Sequence, residues 1–235
     1  MSDKIETSVI PALEDNFAYL IRWPGGAVIV DVPDTGTIRK EIEKGGAKPS
    51  HILITHDHHD HIGGVAALKK LYGAEIIAPA GSRVPGADRF VSGGEKLDLA
   101  GLRVEVIWTP GHCAAHASFY LPDAAAVFTG DCLFGAGCGR LFGNPPEIMF
   151  QSLQRLAALP DKTRVFFGHE YTISNLRFAL TVEPGNAAIK SRLADAEKNL
   201  PTSPSNIALE KATNPFLRAK IVEEFAERRR RKDNF

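Results

Sequence analysis

The stretch Thr55-His56-Asp57-His58-His59-Asp60-His61-Ile62-Gly63-Gly64 sets four histidines and two aspartates between an apolar β-rich run and a helical pattern. Imidazole and carboxylate together suit zinc, iron or manganese, whereas structural zinc is usually closed by thiolates, which this stretch lacks. His56 and His58 stand two apart, so an extended segment turns both the same way, while Asp60 and His61 are adjacent and enter a helix. One regular element cannot aim all four at a single ion, and two ions are the simpler geometry. Three more candidates occur singly, each just after a β-rich run: His112 in Thr109-Pro110-Gly111-His112, Asp131 in Thr129-Gly130-Asp131, and His169 in Gly168-His169-Glu170. Active groups in layered α/β folds commonly project from strand ends, where glycine lets backbone approach closely. If these residues converge, His56, His58 and His112 would hold one ion, Asp60, His61 and His169 a second, and Asp131 would bridge. Two dications against two carboxylates and a hydroxide leave a positive centre that polarises a carbonyl.

Neighbouring residues of the same types read differently. Asp57 and His59 fall on the alternate positions and are expected to face solvent or to support the ligands. His51 and His116 read as surface or supporting residues, with His116 the nearest rival for a ligand role. Asp31, after a strand and before Pro33, is placed to orient a ligating histidine from behind. Cys113, Cys132 and Cys138 are odd in number and form no C-x-x-C pair, which argues against a disulfide framework and a thiolate zinc site. They are expected to be small packing residues.

The elements that must position these groups show in the apolar pattern. β-rich runs lie at Ala27 to Val32, His51 to Thr55, Glu75 to Ala78, Leu102 to Trp108, Ala117 to Leu121, Ala125 to Thr129 and Arg164 to Phe167. Helical patterns lie between them at Thr37 to Lys44, Gly64 to Leu71 and Glu147 to Leu159. After Tyr171 the β signal fades, and Ile173 to Leu180, Ala187 to Asn199 and Phe216 to Arg231 read as helices separated by proline-rich breaks. With 235 residues, 44% hydrophobic and 24% charged, the chain can bury a sizeable core and is not disordered as a whole. No apolar run reaches the roughly 18 residues of a membrane span. The start Met1-Ser2-Asp3-Lys4-Ile5-Glu6 lacks a basic region and apolar core, so a cytoplasmic protein is expected. A formal net charge of zero provides no global field toward nucleic acid or membrane.

Thr55 to His61 matches T-H-x-H-x-D-H, and the chain thereby resembles the metallo-β-lactamase superfamily. Within it the chain is most similar to the glyoxalase II (hydroxyacylglutathione hydrolase) family. The segments that carry this are Gly130-Asp131-Cys132-Leu133-Phe134, Gly137-Cys138-Gly139-Arg140, Gly168-His169-Glu170-Tyr171-Thr172, Val182 to Asn186, Asn214-Pro215-Phe216 and Arg231 to Phe235. The resemblance implies a four-layer αββα sandwich with a C-terminal helical domain, divided as a catalytic domain over 1–170 and a helical substrate-binding domain over 171–235. It implies His56, His58, Asp60, His61, His112, Asp131 and His169 as ligands of two divalent ions, zinc first, with iron or manganese accepted by the same donors. A glutathione thioester is the implied substrate, with Arg140, Phe142, Tyr171, Arg229 and Lys232 beside it. Family members often have Lys-x-Tyr after Cys-Gly; here Arg140-Leu141-Phe142 keeps the cation and loses the phenol hydroxyl. The Arg228 to Lys232 run also suits a solvated helix C-terminus.

The implied reaction is hydrolysis of S-lactoylglutathione to glutathione and D-lactate by a metal-bridging hydroxide, as in methylglyoxal detoxification. Asp60 and Asp131 are the catalytic carboxylates, and a monomer is the expected state. A free thiol of pKa ~8.5 is a good enough leaving group to need no strong general acid. The alternatives are a persulfide dioxygenase of the same superfamily with a single iron, a lactonase-type metallohydrolase, and a non-catalytic metal-binding module. A complete second donor set in Asp60, His61 and His169 weighs against the dioxygenase. The module would close its site, whereas this donor set leaves positions open.

Overall fold

Strand Asn16–Trp23 is buried at almost every position, so its sequence shows no alternation and gives no amphipathic signal. It is nevertheless the second strand of a sheet, because Glu6–Ala12 pairs with it antiparallel and in register from Glu6 opposite Arg22 to Ala12 opposite Asn16. The structure, a computed structural model, describes residues 5–235; Met1 to Lys4, part of the start from which a cytoplasmic protein is expected, lie outside them. The first sheet runs in the order β1 (Glu6–Ala12), β2 (Asn16–Trp23), β3 (Gly26–Val30), β4 (Pro49–Leu53), β5 (Glu75–Pro79), β6 (Arg89–Val91). β3 to β6 are mutually parallel, so β3 and β4 end at the same edge, and Asp31 follows β3 there with its N–H donated to Leu53 O at 3.0 Å.

Helices α1 (Thr35–Gly45), α2 (His59–Ile62) and α3 (Val65–Tyr72) connect these strands. Asp34 caps α1 by accepting the Thr37 N–H at 2.7 Å, and Gly46 ends it in the left-handed region. Ile38 and Ile42 of α1 and Val65 and Leu68 of α3 join Leu20, Ile29, Ile52 and Ile76 in one buried cluster. Each such side chain contributes about 1.5–3 kcal/mol on burial.

The second sheet has the order β14, β13, β10, β9, β8, β7, where β7 is Lys96–Leu99, β8 Leu102–Trp108, β9 Ala117–Leu121, β10 Ala126–Gly130, β13 Arg164–Phe167 and β14 Ser205–Asn206. Between β10 and β13 lie a small hairpin, β11 (Leu133–Phe134) with β12 (Gly137–Cys138), and α4 (Pro146–Ala157). The C-terminal helices are α5 (Thr172–Val182), α6 (Ala187–Ala196), α7 (Ile207–Thr213) and α8 (Val222–Asp233).

The helix expected from Phe216 starts only at Val222. The Asn214 side chain takes the Phe216 N–H at 3.0 Å, and the Glu224 carboxylate takes the Lys220 N–H at 2.7 Å, which fixes a later start. β1, β2, β6, β7, β11, β12, β14 and α7 have no counterpart in the apolar pattern.

By contact density the chain forms two compact units. One comprises residues up to Trp108 with Ala115–Phe128, and the other Thr109–Ala114 with Thr129–Phe235. Among the described residues no helix is long and apolar enough to cross a membrane.

Candidate metal centre

The histidine-rich stretch splits as its spacing predicts. Residue 58 is extended (φ −67°, ψ 144°) and caps a short helix that begins at His59, so His56 and His58 precede α2 while Asp60 and His61 lie within it. Gly64 lets this turn lie on the chain after β3. A Cβ there would sit 2.7 Å from Val32 Cγ1 and 2.8 Å from the backbone of Asp34 and Thr35. The His56 ring lies 4.6 Å from that of His58 and 4.2 Å from that of His61. His56 and His61 are fully buried, and Asp60 is partly exposed.

Hydrogen bonding fixes which nitrogen carries the proton in the neutral rings of His56, His61 and His112. Asp31, held at φ 58°, accepts the Thr55 N–H on Oδ1 at 2.8 Å, and the Thr55 hydroxyl and His61 Nδ1 on Oδ2, both at 2.8 Å. The single hydroxyl proton of Thr55 is thus committed to Asp31. At its 3.0 Å contact with His56 Nδ1, Thr55 Oγ1 must therefore accept, so His56 is protonated on Nδ1. Both His56 and His61 then keep a lone pair on Nε2, the form a metal ligand needs. Asp31, at the end of β3, thus meets His61 directly and His56 through the Thr55 hydroxyl.

The other residues of the stretch have different surroundings. His59 is exposed, and the Asp57 carboxylate accepts the Arg83 N–H at 2.7 Å. His116 is buried and stacked on His56, with ring centroids 5.0 Å apart at 27°. His51 contacts Ser50 Oγ at 2.8 Å and lies 3.6 Å from Glu75.

His112, Asp131 and His169 form a second group of donors. The Gly168 N–H donates to Gly130 O at 2.9 Å, which sets the ends of β10 and β13 side by side and brings Asp131 next to His169. Asp131 Oδ2 lies 3.3 Å from His169 Nε2 and 3.5 Å from His112 Nε2. His112 Nδ1 meets the Arg140 carbonyl at 2.9 Å; a carbonyl only accepts, so this ring too carries its proton on Nδ1 and leaves Nε2 as a lone pair. Gly139 makes the approach possible, since a Cβ there would lie 2.1 Å from Asp131 O and 2.8 Å from His112 Nδ1. A lone pair and a carboxylate oxygen held this close repel each other unless a cation sits among them. The residues present fit a divalent metal.

Beside these donors, Tyr171 stacks on His169 at 4.9 Å and 4°, and Phe142 stands edge-on to His112 at 5.2 Å. Phe142 and the Arg140 side chain are exposed. Arg229 is different. It is only 5% exposed, donates to Cys138 O and to Asp233, both at 2.8 Å, and lies over the Phe216 ring, so it braces the chain that carries Arg140. Lys232 is half-buried between Phe178 and Phe235 and donates to Ser174 Oγ at 3.0 Å. All three cysteines are free. Burial pushes the Cys132 thiol well up and that of Cys138 to about 11, so neither is a nucleophile at neutral pH.

Residues 13–169 match the family model of the metallo-beta-lactamase superfamily, and residues 170–235 match that of the hydroxyacylglutathione hydrolase C-terminus. The chain belongs to the hydroxyacylglutathione hydrolase family of the metallo-beta-lactamase superfamily. The hydroxyacylglutathione hydrolase of Brucella anthropi is 46% identical, over 97% of this chain and 99% of that protein. That of Pseudomonas aeruginosa is 44% identical over 98% and 93%. Among solved structures, ETHE1 from Myxococcus xanthus superposes with a TM-score of 0.74 at 26% identity, covering 97% of this chain and 90% of that one. TTHA1623 in a di-iron-bound form gives 0.66 at 28% identity, covering 88% and 98%. The expected metallo-β-lactamase fold with a C-terminal helical region is thus present, and membership of this superfamily implies divalent-metal binding.

For a hydroxyacylglutathione hydrolase family member, the sequence left one supporting residue unread. Asn16, at the start of β2 and only 4% exposed, donates from Nδ2 to Asp60 Oδ2 at 2.9 Å and to Asp60 O at 3.1 Å. The only trace in the sequence is a lone amide between the Leu13-Glu14-Asp15 turn and an apolar run.

Proposed function

We propose that this chain hydrolyses the thioester of S-acylglutathiones, S-lactoylglutathione to glutathione and D-lactate among them, with two divalent ions, zinc first. The observation that carries the proposal is 46% identity to a hydroxyacylglutathione hydrolase over nearly the whole of both chains. The donor sets support it. His56, His58, Asp60 and His61 in one unit, and His112, Asp131 and His169 in the other, all offer imidazole nitrogens or carboxylate oxygens of the kind divalent ions accept. When bound, such ions polarise a carbonyl and lower the pKa of water to about 7.

The chain's own residues do the rest. Asp31, Thr55 and the Arg140 carbonyl hold three imidazoles as neutral Nε2 donors. Asp60, held by Asn16, would orient the attacking water, and Asp131 would supply negative charge to bound divalent metal. Tyr171 and Phe142 flank the donors with aromatic surface for the substrate, while Arg140 and Lys232 attract the carboxylates of glutathione. Arg229 serves by bracing Cys138 and Asp233. The 1–170 catalytic and 171–235 substrate-binding division, a cytoplasmic location, a monomeric state and methylglyoxal detoxification belong to the same proposal.

The test is a panel of acyl-thioesters, lactones and glutathione persulfide on zinc-reconstituted protein. Turnover of glutathione thioesters at about 1–10³ s⁻¹ is expected, with metal-free protein inactive. Stoichiometric metal without thioester turnover overturns the proposal. Oxygen consumption with the persulfide would instead identify a dioxygenase, and ring opening alone a lactonase.

A pH dependence follows from Lys232. Burial, and then the nearby Arg229 and Arg140, bring its pKa down to about 8. Below that pH it is charged and can hold a glutathione carboxylate; above it the charge is lost. The KM for S-lactoylglutathione is therefore expected to rise as the pH passes through about 8. A charged hydrogen bond of about 1.5–3 kcal/mol sets the size at roughly tenfold or more. Lys232→Met should raise KM at neutral pH by a similar factor and flatten the rise, and an unchanged KM profile in that variant would remove Lys232 from the binding surface.

A further inference from the structure

The tip of the β11–β12 hairpin is clamped through its backbone by side chains of the C-terminal helical segment. Asn214 Nδ2 donates to Phe134 O at 3.4 Å and to Gly137 O at 3.0 Å, and Asn175 Nδ2 donates to Gly135 O at 3.1 Å. The Ala136 N–H donates to Glu210 Oε2 at 2.8 Å, and Ala136 itself stands at φ 53°. Glu210 is held in turn by Arg192 Nη2 and Ser205 Oγ, each at 2.5 Å from Oε1, and by Asn214 Nδ2 at 3.1 Å from Oε2. Asn175, Arg192, Glu210 and Asn214 are all buried. Replacing a buried ion pair of this kind by apolar groups is often neutral or stabilising, so stability alone is a weak reason for its presence. A network with its members satisfied does fix geometry.

What it fixes is the approach to two of the donors described above. Phe134 leaves the hairpin edge-on to His169 at 5.9 Å and to Tyr171 at 5.4 Å. After β12, Gly139 lies against Asp131, and the Arg140 carbonyl takes the His112 Nδ1 proton. We propose that Asn214, Asn175 and Glu210 are positioning residues, through which the C-terminal helices aim His112 and His169 by way of the β11–β12 hairpin. This rests on the proposal that both histidines are metal ligands. The helical segment then supplies ligand geometry as well as substrate contacts.

The experiment compares Asn214→Ala and Asn175→Ala with Ile189→Val, a control in the apolar cluster that also holds Ala136, which trims one methyl group and removes none of the hydrogen bonds of the clamp. Zinc affinity is read by competition with a chelator, and kcat and KM are measured separately on zinc-loaded protein. Loss of groups that support ligands typically weakens metal binding by about 10–100-fold, and a change near the low end of that range is expected for Asn214→Ala. Its kcat should fall while KM moves little, and Ile189→Val should keep wild-type zinc affinity even where thermal stability drops as far. An Asn214→Ala protein that folds and matches the control in both zinc affinity and kcat overturns the proposal. Should that variant not fold, Asn175→Ala, which removes only the Gly135 bond, is judged by the same criterion. If wild-type protein binds zinc yet cleaves no thioester, the substrate assignment fails, and the affinity comparison still decides the role of the clamp.

Discussion

Replacing Asp131 by alanine is expected to leave a folded chain that has lost metal and at least about 10²–10³-fold in thioester turnover. One carboxylate oxygen lies 3.3 Å from His169 Nε2 and 3.5 Å from His112 Nε2. His112 cannot be a simple neutral hydrogen-bond donor to it, because its one proton is engaged on Nδ1 by the Arg140 carbonyl. With the His112 ring neutral, its lone pair and the carboxylate repel at this distance, and a cation shared between them relieves that repulsion. Removing the carboxylate takes away a full negative charge as well as a ligand, so the two dications would repel with less compensation. Asp131→Asn, which keeps the shape and one acceptor oxygen, should fall between wild type and alanine. Metal analysis after dialysis, with far-UV circular dichroism as the check on folding, decides the matter. Wild-type metal content and turnover in a folded Asp131→Ala protein would defeat the dinuclear proposal.

The legibility of this molecule follows from which interactions are local. Runs such as Ala27 to Val32 and Leu102 to Trp108 are rich in β-branched and apolar residues bounded by turns, and they became β3 and β8. β2 was hidden because burial along nearly its whole length removes the alternation that marks a strand, and β1 because Pro11 interrupts its pattern. The helix-like run from Phe216 was misplaced because side-chain capping by Asn214 and Glu224, which periodicity does not record, chose the start at Val222. The same distinction governs the site. Histidines and aspartates crowded between a strand and a helix are conspicuous by type. Their partners are single, ordinary polar residues far away in sequence: Asn16 is 44 residues from Asp60, and Asn214 is 77 from Gly137. Only the folded chain shows Arg229 turned inward, since basic residues in a row on a helix look alike until packing separates Arg229, buried, from Arg230, exposed.

Asp31→Asn should produce the second large effect by changing two rings at once. Asn tolerates the left-handed backbone that Asp31 occupies at φ 58°, so the substitution tests side-chain chemistry with little added strain. An amide has one acceptor oxygen, and the buried Thr55 N–H on Oδ1 needs it. The amide NH₂ then takes the place of Oδ2, where it faces the Thr55 hydroxyl and His61 Nδ1. Two donors cannot meet, so His61 must present a lone pair on Nδ1 and carry its proton on Nε2. The Thr55 hydroxyl, no longer donating to Asp31, turns its proton toward His56 Nδ1 at 3.0 Å, and His56 is driven to the same tautomer. Both rings thereby lose the Nε2 lone pair that a metal would use. Metal affinity is expected to fall by about 10–100-fold or more, with activity following it. Asp31→Ala would be a blunter test, because it strips partners from three buried donors at about 1–3 kcal/mol each and puts folding itself at risk. Nitrogen-15 spectra of the imidazoles in metal-free protein read the tautomers directly, with Nδ1–H expected for His56 and His61 in the wild type and Nε2–H in Asp31→Asn. If the variant retains Nδ1–H on both rings and a full complement of metal, the proton inventory assigned to Asp31 and Thr55 is wrong.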